Sequence, residues 1–348
     1  MNFLDEKLLI KANEEAIYNI YIYLLKRNPP TVGQNFGDIV DGLSKATLKD
    51  NDRYKLRILK NAASSSESLA KSTLTALTVS PNGLTACAFT KPCGSISVVF
   101  KGTGSGEWID NGEGLSGICQ ENAYISYDKN GDELYRKSYQ CDYASDQQVE
   151  ALNWFIKTAV VNRWTDENEI IISGHSKGGN KAQFVAINSD LASCCYSFDG
   201  QGFSAEAIMA LKSRYGLHFE RRRKNIMSFS AENDYVNVLG ERLMPEENIF
   251  YFRSHGGLHP LEAILDKSAR LYSQCEQGML SKYVEGISRQ IMSMPPETRQ
   301  YATLGIMNIF QKHLGRGTPV NGDNVSITKT IIGISIAIAR LLMQLGTA

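Results

Sequence analysis

The fold is decided by residues 169–186, which read EIIISGHSKGGNKAQFVA. The apolar run at its start predicts a strand, and the helical pattern at its end begins directly after Gly-His-Ser-Lys-Gly-Gly. G-x-S-x-G is the spacing of a nucleophile elbow, in which a serine lies on a tight strand-to-helix turn. Glycines flank the serine because a Cβ would clash in so tight a bend. The stretch therefore predicts Ser176 as an exposed nucleophile at a sheet edge.

Two nucleotide-binding motifs share part of this glycine pattern, and both are excluded. Gly174 and Gly179 have the spacing of P-loop glycines, but Lys181 is displaced by one position and Ala182 follows where a hydroxyl is needed to bind Mg²⁺. The Gly-rich loop at 102–106 follows a strand, but no helix begins there as a dinucleotide fingerprint requires. No cofactor is predicted.

Strands and helices alternate on both sides of the elbow. Short β-rich runs are predicted at 84–90, 95–100, 169–173, 192–198, 225–230 and 248–253. The first two are joined by Lys-Pro-Cys-Gly and are expected to form a hairpin. Helical patterns between the later runs, at 146–161 and 177–187, indicate an α/β fold with a mainly parallel sheet covered on both faces.

The chain divides by sequence pattern into three regions. Residues 1–75 are predicted to be a helical N-terminal region, 80–265 the α/β core, and 266–348 a helical C-terminal region. A Ser-rich stretch at 63–68 is predicted to be a linker. Helical patterns are expected at 4–25, from 261 to 294, and again from Pro296.

Composition excludes several classes of protein. The 348 residues carry 37 Lys plus Arg and 37 Asp plus Glu, and this zero net charge argues against nucleic-acid binding. The N-terminus has no export signal, so a cytoplasmic location with seven free cysteines is expected. No metal-binding spacing of Cys or His occurs. The uncharged run at 330–339 is too short to span a membrane and is expected to be a buried terminal element. A contact with a membrane surface stays open.

The Gly-rich loop after the strand at 95–100 has the position of an oxyanion loop. In folds with this elbow, one oxyanion-binding amide comes from a loop after an early strand, and the other from the residue after the nucleophile. Thr103 and Lys177 are the matching positions. The region 104–143 is long enough to act as a lid over a site.

These motifs together resemble those of class 3 lipase-like α/β-hydrolases, and more closely a bacterial branch whose elbow reads G-H-S-K-G-G. The resemblance covers about residues 80–315. It is carried by Phe100-Lys-Gly-Thr103, Trp108 and Asp110, the elbow, Phe198-Asp-Gly-Gln-Gly-Phe203, Asp234-Tyr-Val, His259-Pro260 and Met294-Pro-Pro-Glu-Thr-Arg299. Lys101 departs from the pattern, since arginine is usual there. The resemblance implies hydrolysis of a small-molecule or lipid ester.

The acid and the base are expected after the nucleophile, in the order Ser, Asp or Glu, His. Asp234 follows the strand at 225–230 by a short loop and is the predicted acid, with Asp199 as the alternative. His259 lies on a Gly-rich loop after the strand at 248–253 and is the predicted base, with His255 on the same loop as the alternative. Leu258 is expected to anchor that loop on apolar surface.

The resulting hypothesis is a serine ester hydrolase with a triad of Ser176, His259 and Asp234 and an acyl-enzyme intermediate. Two alternatives stay open. One is an amide or thioester hydrolase of the same fold, and the other is a ligand-binding protein of this fold without turnover. The sequence does not predict the oligomeric state.

Overall fold

The computed structural model describes residues 4–104, 107–116, 118–127 and 133–314. Within them ten strands are present: β1 (Thr73–Val79), β2 (Thr85–Thr90), β3 (Ile96–Phe100), β4 (Ile118–Tyr127), β5 (Glu133–Asp142), β6 (Ile170–His175), β7 (Cys194–Phe198), β8 (Ile226–Ala231), β9 (Ile249–Phe252) and β10 (Gln274–Cys275). Eight form one sheet in the order β1-β2-β3-β6-β7-β8-β9-β10, while β4 and β5 form a separate hairpin. The five strands from β3 to β9 run parallel, and the outer ones pair antiparallel. The predicted α/β class with a mainly parallel sheet is confirmed.

Helices cover both faces of the sheet. Those described are α1 (Glu6–Leu24), α2 (Phe36–Leu43), α3 (Asp50–Ser65), α4 (Glu67–Ala70), α5 (Trp108–Ser116), α6 (Asp146–Asn162), α7 (Lys177–Asn188), α8 (Ala205–Tyr215), α9 (Leu217–Arg223), α10 (Met279–Met292) and α11 (Pro296–Leu314). The first three share an apolar core with one face of the sheet, and α6, α7 and α8 share a second core with the other. Along β2, β3, β6 and β7, alternate residues belong to opposite cores, as the pleat requires.

The N-terminal helix α1 is tied to the sheet by polar contacts as well as apolar ones. Glu15 is fully buried and accepts hydrogen bonds from the hydroxyls of Ser97 in β3 and Ser173 in β6. Burial raises the pKa of this carboxyl. Asn13 accepts a hydrogen bond from the backbone N–H of Leu271 at 2.9 Å. The three-region division of the chain stays a prediction, but the N-terminal helices belong to the packing of the sheet.

Several predicted elements are confirmed, and others are wrong. The six β-rich runs are strands, the first hairpin forms, and α11 begins at Pro296. The Ser-rich stretch is no linker, because Ser66 caps α4 by accepting from the backbone N–H of Leu69. The helical stretch expected over 261–294 is confirmed only in its second half, where α10 spans Met279–Met292. Its first half contains only the 3-10 turn Leu261–Ile264. Asp266 then accepts from the backbone N–H groups of Ser268 and Arg270, which stabilises a turn instead.

Among the described residues no helix is long and apolar enough to cross a membrane. The run Thr330–Ala339 lies outside the described residues, as does the C-terminal region beyond residue 314.

Candidate active site

The turn between β6 and α7 has the geometry of an elbow. Ser176 adopts φ 60° and ψ −128°, a backbone conformation that residues other than glycine rarely adopt. A Cβ on Gly174 would lie 2.0 Å from the Gly178 carbonyl oxygen, and one on Gly178 would lie 2.0 Å from the Phe100 carbonyl oxygen. Glycine is therefore required at both positions for the strand and the helix to approach so closely.

Ser176, His259 and Asp234 form one hydrogen-bonded chain. His259 Nε2 lies 2.9 Å from Ser176 Oγ, and His259 Nδ1 lies 2.6 Å from Asp234 Oδ2. Asp234 follows β8, is fully buried, and its Oδ1 accepts from the backbone N–H groups of Val236 at 2.8 Å and Asn237 at 2.6 Å. Because a carboxylate only accepts, Nδ1 of His259 carries a proton and Nε2 is left to accept from the serine hydroxyl.

The loop that carries His259 is held by its own backbone. Gly256 has φ +79°, where glycine is favoured, and the backbone N–H of His255 donates to the Ala263 carbonyl at 2.9 Å. Pro260 directly precedes the 3-10 turn that follows. The prediction that Leu258 anchors the loop on apolar surface is wrong, since this residue is 42% exposed. Backbone closure, and not apolar burial of Leu258, fixes the loop.

Neither alternative residue is hydrogen-bonded to Ser176, His259 or Asp234. His255 is exposed, and its ring packs edge-on against Tyr272 with centroids 4.6 Å apart. Asp199 is fully buried, and its Oδ1 accepts from the backbone N–H of Ala231 at 2.8 Å. Burial, reinforced by the charge of Asp234, raises the pKa of Asp199 well above its usual range.

Two further side chains, Tyr23 and His175, form hydrogen bonds that lead to the backbone of His259. Tyr23 of α1 donates its hydroxyl to His175 Nδ1 at 2.8 Å, and His175 Nε2 donates to the backbone carbonyl of His259 at 2.9 Å. Burial is the main cause that lowers the pKa of His175 well below its usual range, so the ring is neutral. Sequence reasoning missed this role of Tyr23, because 152 residues separate it from His175 and no local pattern links the two.

The loop after β3 lies beside the elbow. A Cβ on Gly102 would lie 2.8 Å from the carbonyl oxygen of His175, which shows how closely the two backbones approach. Asn111 of α5 donates to Thr103 Oγ1 at 2.9 Å and so orients this loop. Lys177 is the first residue of α7, where backbone N–H groups have no partner within the helix.

The side chain of Lys177 has a structural role that the sequence analysis did not assign. It is buried, and its Nζ lies 3.0 Å from Asp110 Oδ2 and donates to the Asp110 backbone carbonyl, also at 3.0 Å. Asp110 also accepts from the Ser145 hydroxyl and the Gln147 backbone N–H, each at 3.1 Å. This buried pair attaches α5 to the start of α7. In the sequence, only the presence of Asp110 in the Trp108–Asp110 motif pointed to a role for this residue.

A cavity of about 630 Å³ opens at Ser176. Much of its wall is apolar and comes from α5, α10 and α11, with Leu115, Val284, Ile287, Ile291, Ile306 and Met307 among the lining residues. Its size is within the range of small-molecule sites. Of the predicted lid, α5 belongs to this wall, while residues 105, 106, 117 and 128–132 lie outside the described part of the chain. The lid function stays a prediction.

One group of side chains in the described residues could ligate a metal ion. His175, Asp199 and His259 each offer one ligand atom, and these atoms lie within 4.8 Å of one another. Both ring nitrogens of His259 already have partners in Asp234 and Ser176. A metal ion there would have to displace one of them.

The chain is similar to several known proteins. A model of the Mbeg1-like family matches residues 132–231. Among solved structures, Rhizomucor miehei triacylglyceride lipase is 11% identical, covering 79% of this chain and 87% of its own, with a TM-score of 0.40. A mutant of MDLA from Penicillium cyclopium is also 11% identical, covering 92% of this chain and 100% of its own, with a TM-score of 0.44. No curated protein matches. The chain is thus similar to lipases, and the assignment of its fold rests on the strand order and direction described above.

Proposed function

We propose that the protein is a serine hydrolase that cleaves carboxylic esters of lipid or acyl type through an acyl-enzyme intermediate. The observation that carries the proposal is the continuous chain from Asp234 through His259 to Ser176, with contacts of 2.6 and 2.9 Å. In this arrangement a buried carboxylate contacts one nitrogen of the imidazole and the serine hydroxyl contacts the other. It is the arrangement that activates serine for attack on a carbonyl carbon.

In the first half of the proposed reaction, Ser176 Oγ attacks the ester carbonyl while His259 Nε2 takes its proton. Asp234 stabilises the imidazolium that forms and keeps its Nδ1 proton in place. The backbone N–H groups of Thr103 and Lys177 stabilise the negative charge on the carbonyl oxygen. His259 then donates its proton to the leaving alcohol. In the second half, a water molecule attacks the acyl-serine with the same base, which releases the acid.

The cavity supports an acyl chain as part of the substrate. Its wall is largely apolar, and α5, α10 and α11 supply much of it. An alkyl chain that enters it leaves water, and each buried CH₂ contributes about 0.8 kcal/mol to binding. This favours a lipid or acyl ester over a substrate whose acid part is polar.

The test is to label the intact protein with a fluorophosphonate, which phosphonylates activated serines, and to map the adduct. We expect the adduct on Ser176, and we expect Ser176→Ala to lose both the label and roughly 10⁴- to 10⁶-fold in ester hydrolysis. Ser189→Ala is the matched control, because Ser189 lies at the opposite end of the same helix. A protein that folds but is not labelled would be a ligand-binding protein without turnover.

A further inference from the structure

An ion pair interrupts the wall of the cavity. Lys55 of α3 contacts Glu262 through Nζ and Oε1, and both residues line the cavity together with Tyr23, His259 and Pro260. The two side chains are only 17% and 15% exposed. Removing two charges from water costs energy unless their hydrogen-bonding groups find partners. The presence of this pair in a mostly apolar wall therefore has to be explained by something other than the stability of the fold.

The pair retains unused hydrogen-bonding capacity. An ammonium group has three N–H donors, and a carboxylate has two acceptor oxygens. Among the described residues, the only hydrogen bond of the Lys55 ammonium is the one to Glu262 Oε1, and Glu262 Oε2 has none. Since both residues line the cavity, these donors and the free carboxylate oxygen are available to a molecule bound there.

The position of the pair relates it to one part of the ester. His259 must donate its proton to the leaving alcohol, so the alcohol part of the substrate lies on the side of the imidazole. Glu262 follows His259 by three residues, in the turn directly after Pro260, and Lys55 contacts it from α3. The apolar wall from α5, α10 and α11 then remains for the acyl chain.

We propose that Lys55 and Glu262 form the subsite for the alcohol part of the ester, and that this alcohol is an uncharged polyol such as a glycerol moiety. The inference rests on the proposed ester hydrolysis. The pair has no net charge, so it offers little attraction to an ionic head group. A donor next to an acceptor matches neighbouring hydroxyls, each of which both donates and accepts. The alkyl group of a plain alcohol would exclude water from the pair without replacing its hydrogen bonds. A site with buried polar groups therefore binds such an alcohol less well than a polyol.

The experiment compares kcat/KM for three esters of the same acid: monodecanoylglycerol, propyl decanoate and the phosphate monoester of monodecanoylglycerol. We expect the wild-type protein to prefer the glycerol ester to the propyl ester by about 10- to 100-fold. Lys55→Met is expected to lower that ratio to within about threefold of one, and Glu262→Gln is expected to lower it as well. Lys71→Met is the control, since Lys71 forms an exposed pair with Glu67 outside the cavity and the ratio should not change.

Three results would overturn the proposal. They are a wild-type ratio near one, an equal loss on both esters in the Lys55 and Glu262 variants, or the phosphate ester as the best substrate. An equal loss would mean that the pair only holds the His259 loop. Fluorophosphonate labelling of the same preparations separates the two proposals. Labelling at Ser176 with a ratio of one refutes only the polyol subsite, whereas absence of labelling refutes the hydrolase itself.

Discussion

Asp234→Asn replaces one carboxylate oxygen by an amide NH₂ in a side chain whose orientation is fixed. The backbone N–H groups of Val236 and Asn237 donate to Oδ1, so the amide oxygen must take that place. The amide NH₂ then lies where Oδ2 is now, 2.6 Å from His259 Nδ1. Because NH₂ donates, Nδ1 has to accept and the imidazole proton moves to Nε2. A protonated Nε2 faces Ser176 and cannot take its proton.

We therefore expect Asp234→Asn to reduce kcat by about 10⁴-fold, as a wrong tautomer does in other serine triads. That loss corresponds to roughly 5.5 kcal/mol of transition-state stabilisation. The assay is steady-state hydrolysis of a chromogenic ester, with thermal unfolding to check the fold. Asp199→Asn is the control, because Asp199 bonds to Ala231 and not to His259, and it should stay within about tenfold of wild type. A near-normal Asp234→Asn, or a crippled Asp199→Asn, would refute the reasoning.

Three further outcomes are expected. His259→Ala should lose nearly as much rate of ester hydrolysis as Ser176→Ala, whereas His255→Ala should stay within about tenfold of wild type because the His255 ring packs on Tyr272. Steady-state kinetics of the three variants tests this, and the reverse order would make His255 the base. Lys181→Met should be more stable relative to wild type at pH 7 than above pH 10.5, by up to roughly 3 kcal/mol, because burial lowers the pKa of Lys181 from 10.5 to about 8 and the folded wild type holds a costly charge at pH 7. The lost hydrogen bond to Gln147 Oε1 opposes this gain at every pH. That gain should shrink between pH 8 and 10.5, where the folded lysine is neutral, and denaturant unfolding at pH 7 and 9.5 checks the sign. A thiol titration of the denatured protein without reductant should count all seven cysteines, and a lower count would indicate a disulfide.

The elbow could be predicted because its determinants are local. The glycines at 174 and 178, the apolar strand and the helix lie within 20 residues of one another. The candidate acid and base could be located because each follows a strand of the parallel block, and the carboxyl ends of parallel strands meet at one edge of the sheet. Their catalytic roles stay predictions.

The contributions of the N-terminal helices could not be predicted. Tyr23 and Lys55 have the spacing of ordinary helical residues, and their partners His175 and Glu262 are 152 and 207 residues further along the chain. The turn after residue 264 was missed for a different reason. The side chain of Asp266 satisfies two backbone N–H groups, and this local bond outweighs a helical pattern of apolar residues.

The packing of α1 on the sheet also constrains the order of folding during synthesis. The helix is made first, yet Glu15 finds its partners Ser97 and Ser173, and Asn13 finds Leu271, only when those segments exist. At a synthesis rate of about 5–20 residues per second, α1 waits roughly 10–50 s for the last of them. During this interval α1 can pack on α2 and α3, but not on β6 and β7, which are made later. The packing of α1 is therefore completed only after residue 271 has been added.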